Sequence, residues 1–390
     1  MAKVHPAPLR APILTPFTLV LAALGAAAVW FILQRFIHGI GAVTNVNPGY
    51  PWGIWVVVDV VIGSAIGCGG FAMAVLIYLF NKGEYSPLIR PALLGGLLGY
   101  TLAGAAVIID LGRWWQVYNM LLPWHMNPNS VMLEIGLCVT FYVIVLWLEF
   151  APAILDRFGL KELRKLLDAV MWVLIAFGVV LPFMHQSSLG TALIVLGWKL
   201  DPIYNTAWLP LLFVTSALAM GYGIVIVEAT VVSHSFRRAS EHALLVRLAG
   251  VVGWLLVVWT AFRWGEIAYA GDLGGVFGIH AASVTLWVET LLTLFALWVF
   301  LTPARHSERA MLMAGIAVLL FGSLYRFAAY LVAYTPAVQG WRYAPSVPEL
   351  MVTMGIIAIE ILVYLTFIKV FPVLHGHHTA AAGAAPLATR

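Results

Sequence analysis

Ten runs of largely apolar residues, each long enough to cross a bilayer, dominate this chain and leave few folds open to it. A spanning helix needs about 20 such residues. The runs fall at 14–38, 52–80, 89–110, 129–150, 168–185, 208–231, 246–268, 281–302, 309–333 and 350–371. Hydrocarbon offers no water to satisfy backbone polar groups, so each run must close its own hydrogen bonds as a helix. The expected class is an all-α integral membrane protein of about ten transmembrane helices. Charged residues make up only 10% of the chain, against roughly 25% in a soluble domain. Abundant Trp and Phe suit helices anchored at two lipid interfaces.

The first run follows Lys3 and Arg10 and resembles a signal peptide, but its apolar stretch continues past Gly25–Ala28, so a retained signal anchor is expected. Orientation follows from the basic residues. The termini and the loops after runs two, four, six and eight hold 15 of the 21 Lys and Arg, among them Arg157, Lys161, Arg164, Lys165, Arg237, Arg238, Arg305 and Arg309. The positive-inside rule then places both termini in the cytoplasm. No basic run of the kind that binds nucleic acid occurs. Cys68 and Cys138 are the only cysteines, too few for an iron–sulfur cluster, which ordinarily needs four thiolates, and a disulfide framework is not expected. The opposite-side loops are rich in Trp, with Trp114, Trp115, Trp124, Trp198 and Trp341; they suit either an aromatic belt or the docking of a partner subunit. Residues 1–13 read as a cytoplasmic segment and 373–390 as a disordered cytoplasmic tail, whose His377 and His378 are solvated rather than metal ligands.

Ionisable residues inside the runs carry the functional signal, because each costs about 2.5–3.5 kcal/mol to insert. Counting along the helices places Asp59 and Glu134 roughly one third of the way in from the non-cytoplasmic side and Tyr100 near mid-membrane, with Asp110 and Arg113 closing the third helix at that face and His185 closing the fifth at the same level. Carboxylates, an imidazole, a phenol and a guanidinium are what proton exchange with a quinone requires, and equally what a buried ion-pair network uses. Arg113 with Asp110, three residues apart, is most simply an ion pair. Asp59 and Glu134 have no basic residue within a helical turn and read as functional. On the cytoplasmic side, Glu149 and Glu228 could step protons inward by way of Tyr100, or be snorkelling end groups. In the second half, Arg263, Glu266, Glu289, Arg326 and Glu360 have the stoichiometry of an internal ion-pair network. Gly63-x-x-x-Gly67 and Gly95-x-x-x-Gly99 are packing signals.

A transmembrane b-type cytochrome would pair histidines on facing helices. Only His185 and His280 lie near membrane depth, so one such pair is conceivable and two are not. An ion-coupled secondary transporter using Asp59 and Glu134 is a different class of reading; such proteins have broken helices, and mid-helix interruptions are expected to be few here.

The run Asn47-Pro48-Gly49-Tyr50-Pro51-Trp52-Gly53-Ile54-Trp55, followed by Asp59 and Gly67-Cys68-Gly69-Gly70, resembles the HybB-type membrane subunit of periplasmic nickel–iron hydrogenases of the hydrogenase-2 kind, a branch of the NrfD/PsrC superfamily. So do Tyr85 to Pro91, Asn129 to Glu134, Leu148 to Pro152 and Met184 to Ser188. The likeness is strong over 47–230 and looser beyond. It implies two four-helix bundles, about 52–185 and 208–333, flanked by helices 14–38 and 350–371. It implies a quinone site, for menaquinone or ubiquinone, near the periplasmic face of a bacterial inner membrane. Trp52, Asp59, Asp110, Arg113, Glu134 and His185 are its pocket candidates, and the family's proton-handling positions fall on Tyr100, Glu134, His185 and Glu228. A ferredoxin-like iron–sulfur subunit and catalytic hydrogenase subunits are the implied partners. The resemblance also implies that this chain holds no haem, despite the label of b-type cytochrome given to such subunits. Relatives anchor other periplasmic enzymes, so a molybdoenzyme or cytochrome module is the alternative partner.

Overall fold

The computed structural model describes residues 6–9, 11–237, 241–338 and 340–375. Among them, ten helices are long and apolar enough to cross a membrane. They are α1 (Pro16–His38), α2 (Trp55–Leu79), α3 (Ile89–Asp110), α4 (Val131–Phe158), α5 (Lys161–Val195), α6 (Leu209–Ser235), α7 (His242–Ala270), α8 (Ala281–Leu301), α9 (Glu308–Val332) and α10 (Val347–Val370). The chain is an all-α, multi-span integral membrane protein. Strand is confined, among the described residues, to a two-residue antiparallel pair, Pro6–Ala7 with Leu374–His375, which brings the two ends of the chain together at one end of the molecule. That end is called the termini end below and the opposite one the far end. Most of the tail, from residue 376, lies outside the described residues.

Helices α2 to α5 pack in a ring, each on the next and α5 back on α2. Helices α6 to α9 form a second ring in the same way. The rings share a seam made by α6 and α9 against α2, and by α5 against α6. Helix α2 is accordingly the most buried span. Outside the rings α1 lies along α10, and α10 along α2 and α3. Lipid supplies no hydrophobic drive between helices, so close approach depends on small residues. At the α1–α10 crossing a Cβ on Gly355 would stand 2.1 Å from the Cβ of Ala28, and at the α2–α3 crossing one on Gly96 would stand 2.7 Å from the Gly67 carbonyl.

Two features depart from the sequence reading. The fifth span does not end at His185 but runs ten residues further, to Val195. Ser187, Ser188 and Thr191 are polar in composition, yet their hydroxyls bond within the helix: Ser187 and Ser188 to the Met184 carbonyl, and Thr191 to that of Ser187. A Ser or Thr bonded back in this way presents little polarity to its surroundings. Helix α2 is also less regular than expected: it is π-helical over Trp55–Ile62 and Val75–Leu79 and breaks at Gly67–Cys68. Such wide turns concentrate at functional sites, and the expected scarcity of interruptions no longer separates the transporter reading from the others.

Candidate functional site

The polar residues buried between the helices form three separate groups. The first lies on the seam between the rings and is organised by Arg326. This guanidinium, with no exposed surface, donates to the carbonyls of Val61 (3.2 Å) and Phe213 (2.8 Å), to Ser216 Oγ (2.8 Å) and to Gln186 Oε1 (2.8 Å). A buried charge is tolerated only when hydrogen-bonded on all sides, and here neutral oxygens surround it. The expected pairing of Arg326 with the second-half glutamates is not made among the described residues, where its partners are these neutral oxygens.

Arg326 has only donors, so Gln186 must present its carbonyl to it and turn its amide nitrogen the other way. That nitrogen donates to Ser64 Oγ (3.1 Å) and to the Tyr100 hydroxyl (3.2 Å). Ser64, accepting from Gln186, keeps its own hydrogen for His185 Nε2 at 3.2 Å. The polarity of the chain thus favours the neutral imidazole tautomer protonated at Nδ1. His185 is completely buried, and its Nδ1 has no partner among the described residues. Around it stand the Tyr100 ring (5.6 Å, edge-on), with Tyr142 edge-on to that ring at 4.5 Å, and Cys68 Sγ 3.5 Å from the Tyr100 hydroxyl.

Glu134 is not in this group. It is half-buried on α4, and its side chain makes no hydrogen bond or ion pair among the described residues. It shares a helical stripe with Cys138 and Tyr142, and the eight positions to Tyr142 put it about 12 Å nearer the far end. On the same stripe towards the termini end, Glu149 lies against α5, where the absence of a side chain at Gly178 leaves room for its carboxylate. Trp52 donates its indole N–H to the Tyr330 carbonyl (3.0 Å) and packs on Tyr330 and Tyr334, at the rim of the second ring.

The second group lies on the other flank of α2, along α10. Asp59 accepts from Thr353 Oγ1 (3.3 Å), its other oxygen has no partner among the described residues, and its charged neighbours are Glu360 and Asp110. Towards the far end Glu349, buried, caps α10 through Ser346 and accepts from the Tyr343 hydroxyl (2.7 Å) and the Asn45 N–H (3.0 Å). Burial and that carboxylate hold the Tyr343 phenol well above the ordinary tyrosine range. Asp110 interacts electrostatically with Arg35 of α1, and Arg113, exposed in the following loop, forms no ion pair with it among the described residues. Arg35 is instead buried and donates to the carbonyls of Ile109 and Leu111, closing the C-terminus of α3. Spacing alone pairs Asp110 with Arg113; contact between α1 and α3 leaves no trace in that spacing. Towards the termini end Glu228 accepts from Tyr364, and Gly95 and Gly99 of α3 face the carboxylates of Glu228 and Glu360, with Gly99 also against Gly67.

The third group sits inside the second ring. Arg263 donates to Glu266 (2.6 Å) and to the Ile203 carbonyl (2.9 Å), and its guanidinium lies 4.8 Å from the Tyr204 ring centre. Tyr204 donates to Glu289 at 2.6 Å. Of the five residues expected in one network, three are here; Arg326 is on the seam and Glu360 beside α3. His280 pairs with Asp201 (3.3 Å) at the start of α8, whereas His185 bonds Ser64, so the two histidines near membrane depth take different partners. No group of three or more His, Cys, Asp and Glu able to hold a metal occurs among the described residues.

These features define a class: a multi-span membrane protein with two helical rings, a buried histidine–tyrosine–arginine cluster on the seam, and acidic residues flanking it at several depths. The family model for polysulphide reductase NrfD matches residues 42–336, and the chain belongs to the NrfD family. It is 37% identical over 387 residues to the probable Ni/Fe-hydrogenase 2 b-type cytochrome subunit of Escherichia coli, covering 96% of this chain and 98% of that protein. It is 28% identical to the integral membrane subunit of menaquinone reductase from Nitratidesulfovibrio vulgaris, over 66% of this chain and 62% of that one. An Hdr-like menaquinol oxidoreductase integral membrane subunit from Archaeoglobus fulgidus is 22% identical over 92% of this chain and 93% of its own length.

Proposed function

We propose that the chain is the quinone-reactive membrane anchor of a periplasmic oxidoreductase, with a nickel–iron hydrogenase as its catalytic partner. In this reading it does no catalysis alone. A ferredoxin-like iron–sulfur subunit docks on the exposed far-end aromatic surface, where Trp115, Tyr118, Trp124 and Trp198 are solvent-facing, and both termini are cytoplasmic, in agreement with the basic residues at the termini end. The single observation that carries the reading is the unpartnered His185 Nδ1 in a fully buried polar cluster. A buried donor without an acceptor is costly, and a quinone carbonyl oxygen is an acceptor that a lipid-soluble molecule can bring. Quinone reduction takes two electrons from the partner and two protons; Tyr100 and His185 hold the hydrogen-bonded end of the substrate, and Glu134, about 12 Å further out on α4, serves the far-end approach. The names of the relatives favour menaquinone over ubiquinone and leave a second oxidoreductase module as the alternative partner.

The test uses the assembled complex in lipid. His185→Ala and Glu134→Gln each lower quinone-linked turnover at least tenfold while dye-linked activity of the catalytic partner is retained. Undiminished quinone reduction in both variants refutes the assignment. Electrons pass in this reading without haem in the chain, and a Soret band in the purified subunit would overturn that part of it.

A further inference from the structure

Helix α10 carries Glu349, Thr353, Glu360 and Tyr364 at spacings of four, seven and four residues. At 3.6 residues per turn these positions fall within an arc of about 60°, so one stripe of this flanking helix is acidic or hydroxylic along most of its length. The fifteen positions from Glu349 to Tyr364 cover about 22 Å, most of the roughly 30 Å hydrocarbon thickness. Charge at that depth is costly, and an apolar lipid-facing helix has no need of it.

The surroundings of the stripe are arranged for those groups. Glu228 of α6 accepts from Tyr364 at the termini end. Gly95 and Gly99, one turn apart on α3, leave space in front of two carboxylates: a Cβ on Gly99 would stand 3.3 Å from Glu360 Oε1, and one on Gly95 3.8 Å from Glu228 Oε2. The pair that the sequence offered as a packing motif therefore opens onto acids on one side. Asp59 reaches the stripe from α2 through Thr353, and its free oxygen, more than nine-tenths buried, has no protein partner among the described residues. That oxygen needs a hydrogen-bond donor, and the longest step on α10, seven residues and about 10 Å from Thr353 to Glu360, is wide enough for water.

We propose that Tyr364, Glu228, Glu360, Asp59, Thr353 and Glu349 form a hydrated proton-carrying row along α10, separate from the Tyr100–His185 cluster, that brings protons from the termini end towards the quinone site. The proposal rests on the functional reading above. Each quinone reduced takes two electrons from the partner subunits and two protons by this row. Helix α2 touches both systems and joins them: Asp59 faces α10, while the Val61 carbonyl and Ser64 hydroxyl serve Arg326 and His185. Glu360 links the two halves of the row: it is a charged neighbour of Asp59 and, one turn of α3 away, faces the same glycine pair as Glu228.

The experiment uses the complete complex in phosphatidylethanolamine–phosphatidylglycerol vesicles containing menaquinone, with a pH dye in the lumen and the termini facing inward. The wild type alkalinises the lumen as quinone is reduced. Glu360→Gln slows that alkalinisation at least tenfold, and Glu360→Asp, which keeps a carboxyl, restores a large part of it; a merely structural role would not follow the carboxyl. Should Glu360→Gln fail to assemble, Tyr364→Phe removes only the hydroxyl on Glu228 and is expected to slow lumenal proton uptake several-fold. Wild-type proton uptake in the variant that assembles overturns the row. Quinone reduction by the wild type with no lumenal uptake overturns the row and leaves the functional reading standing. A wild type unable to reduce quinone removes both.

Discussion

Gln186→Leu tests the seam cluster most directly, because the side chain is a hub of three hydrogen bonds and its replacement is close in volume. It removes the bonds to Ser64 (3.1 Å), Tyr100 (3.2 Å) and Arg326 (2.8 Å). Soluble-protein values of about 0.5–1.5 kcal/mol for each neutral bond and about 1.5–3 kcal/mol for the charged one would total about 2.5–6 kcal/mol. Bonds between membrane helices average nearer 0.6 kcal/mol and reach about 1.7 kcal/mol, because the unfolded chain in lipid also finds partners. The lower scale governs here, since Arg326 keeps Val61, Phe213 and Ser216 when Gln186 is lost. Three bonds at that average give an expected cost of about 2 kcal/mol, read as a shift in the detergent-unfolding midpoint of the purified chain. Turnover with quinone should fall more than tenfold, because nothing then fixes the polarity of Ser64 and the tautomer of His185. Gln186→Glu, which keeps an acceptor for Arg326, should lose less stability. A Leu variant within about 0.5 kcal/mol of the wild type, the range of an ordinary surface change, and with unaltered quinone turnover would refute the account of the cluster.

Gly355→Val inserts atoms where Ala28 and the Leu24 carbonyl already touch α10; overpacking of about 1–3 kcal/mol should part α1 from α10, seen as loss of a disulfide engineered across that crossing. Arg263→Met strands Glu266 and the Tyr204–Glu289 pair in the second ring, and a broken buried pair of this kind costs about 3–5 kcal/mol, measurable as lower thermal stability in detergent. Tyr343 has a phenol pKa raised by burial and by Glu349. The folded state therefore holds its proton longer than the unfolded state, so the contribution is intact below about pH 10 and declines as pH rises above it; Tyr343→Phe should flatten that alkaline loss. Trp124→Arg places a charge on the exposed far-end surface and is expected to weaken co-purification of the proposed iron–sulfur partner without altering the chain's own unfolding.

The spans were legible because hydrocarbon enforces a single solution, a helix of sufficient length, and the apolar runs mark it within a few residues. The ends were less so. Ser187, Ser188 and Thr191 are polar in composition but bonded within α5, and no count of side-chain polarity separates the two. Candidate residues were legible for a related reason: ionisable groups are rare in the spans, so Asp59, Glu134, His185, Glu228, Arg326 and Glu360 stand out. Their grouping was not. Depth follows from position along a helix, but which flank a residue faces depends on partners far away in sequence, such as Thr353 for Asp59 and Ser64 for His185. Gln186 was missed altogether, although an amide amid apolar residues, next to a histidine, is a signal available to a reader who treats neutral polar groups as seriously as charged ones. The π-helical turns of α2 have no signature that periodicity could detect.

Arg35 gives the first helix a duty that its peripheral position disguises. A topology drawing would show α1 as an accessory, removable without touching either ring. Its guanidinium nevertheless stoppers the last turn of α3 at Ile109 and Leu111 and is the cation beside Asp110. Trimming this helix from an expression vector would leave those carbonyls bare in lipid and a carboxylate without the Arg35 cation, so a shortened protein would lose its grip at the end of the molecule where α3 finishes.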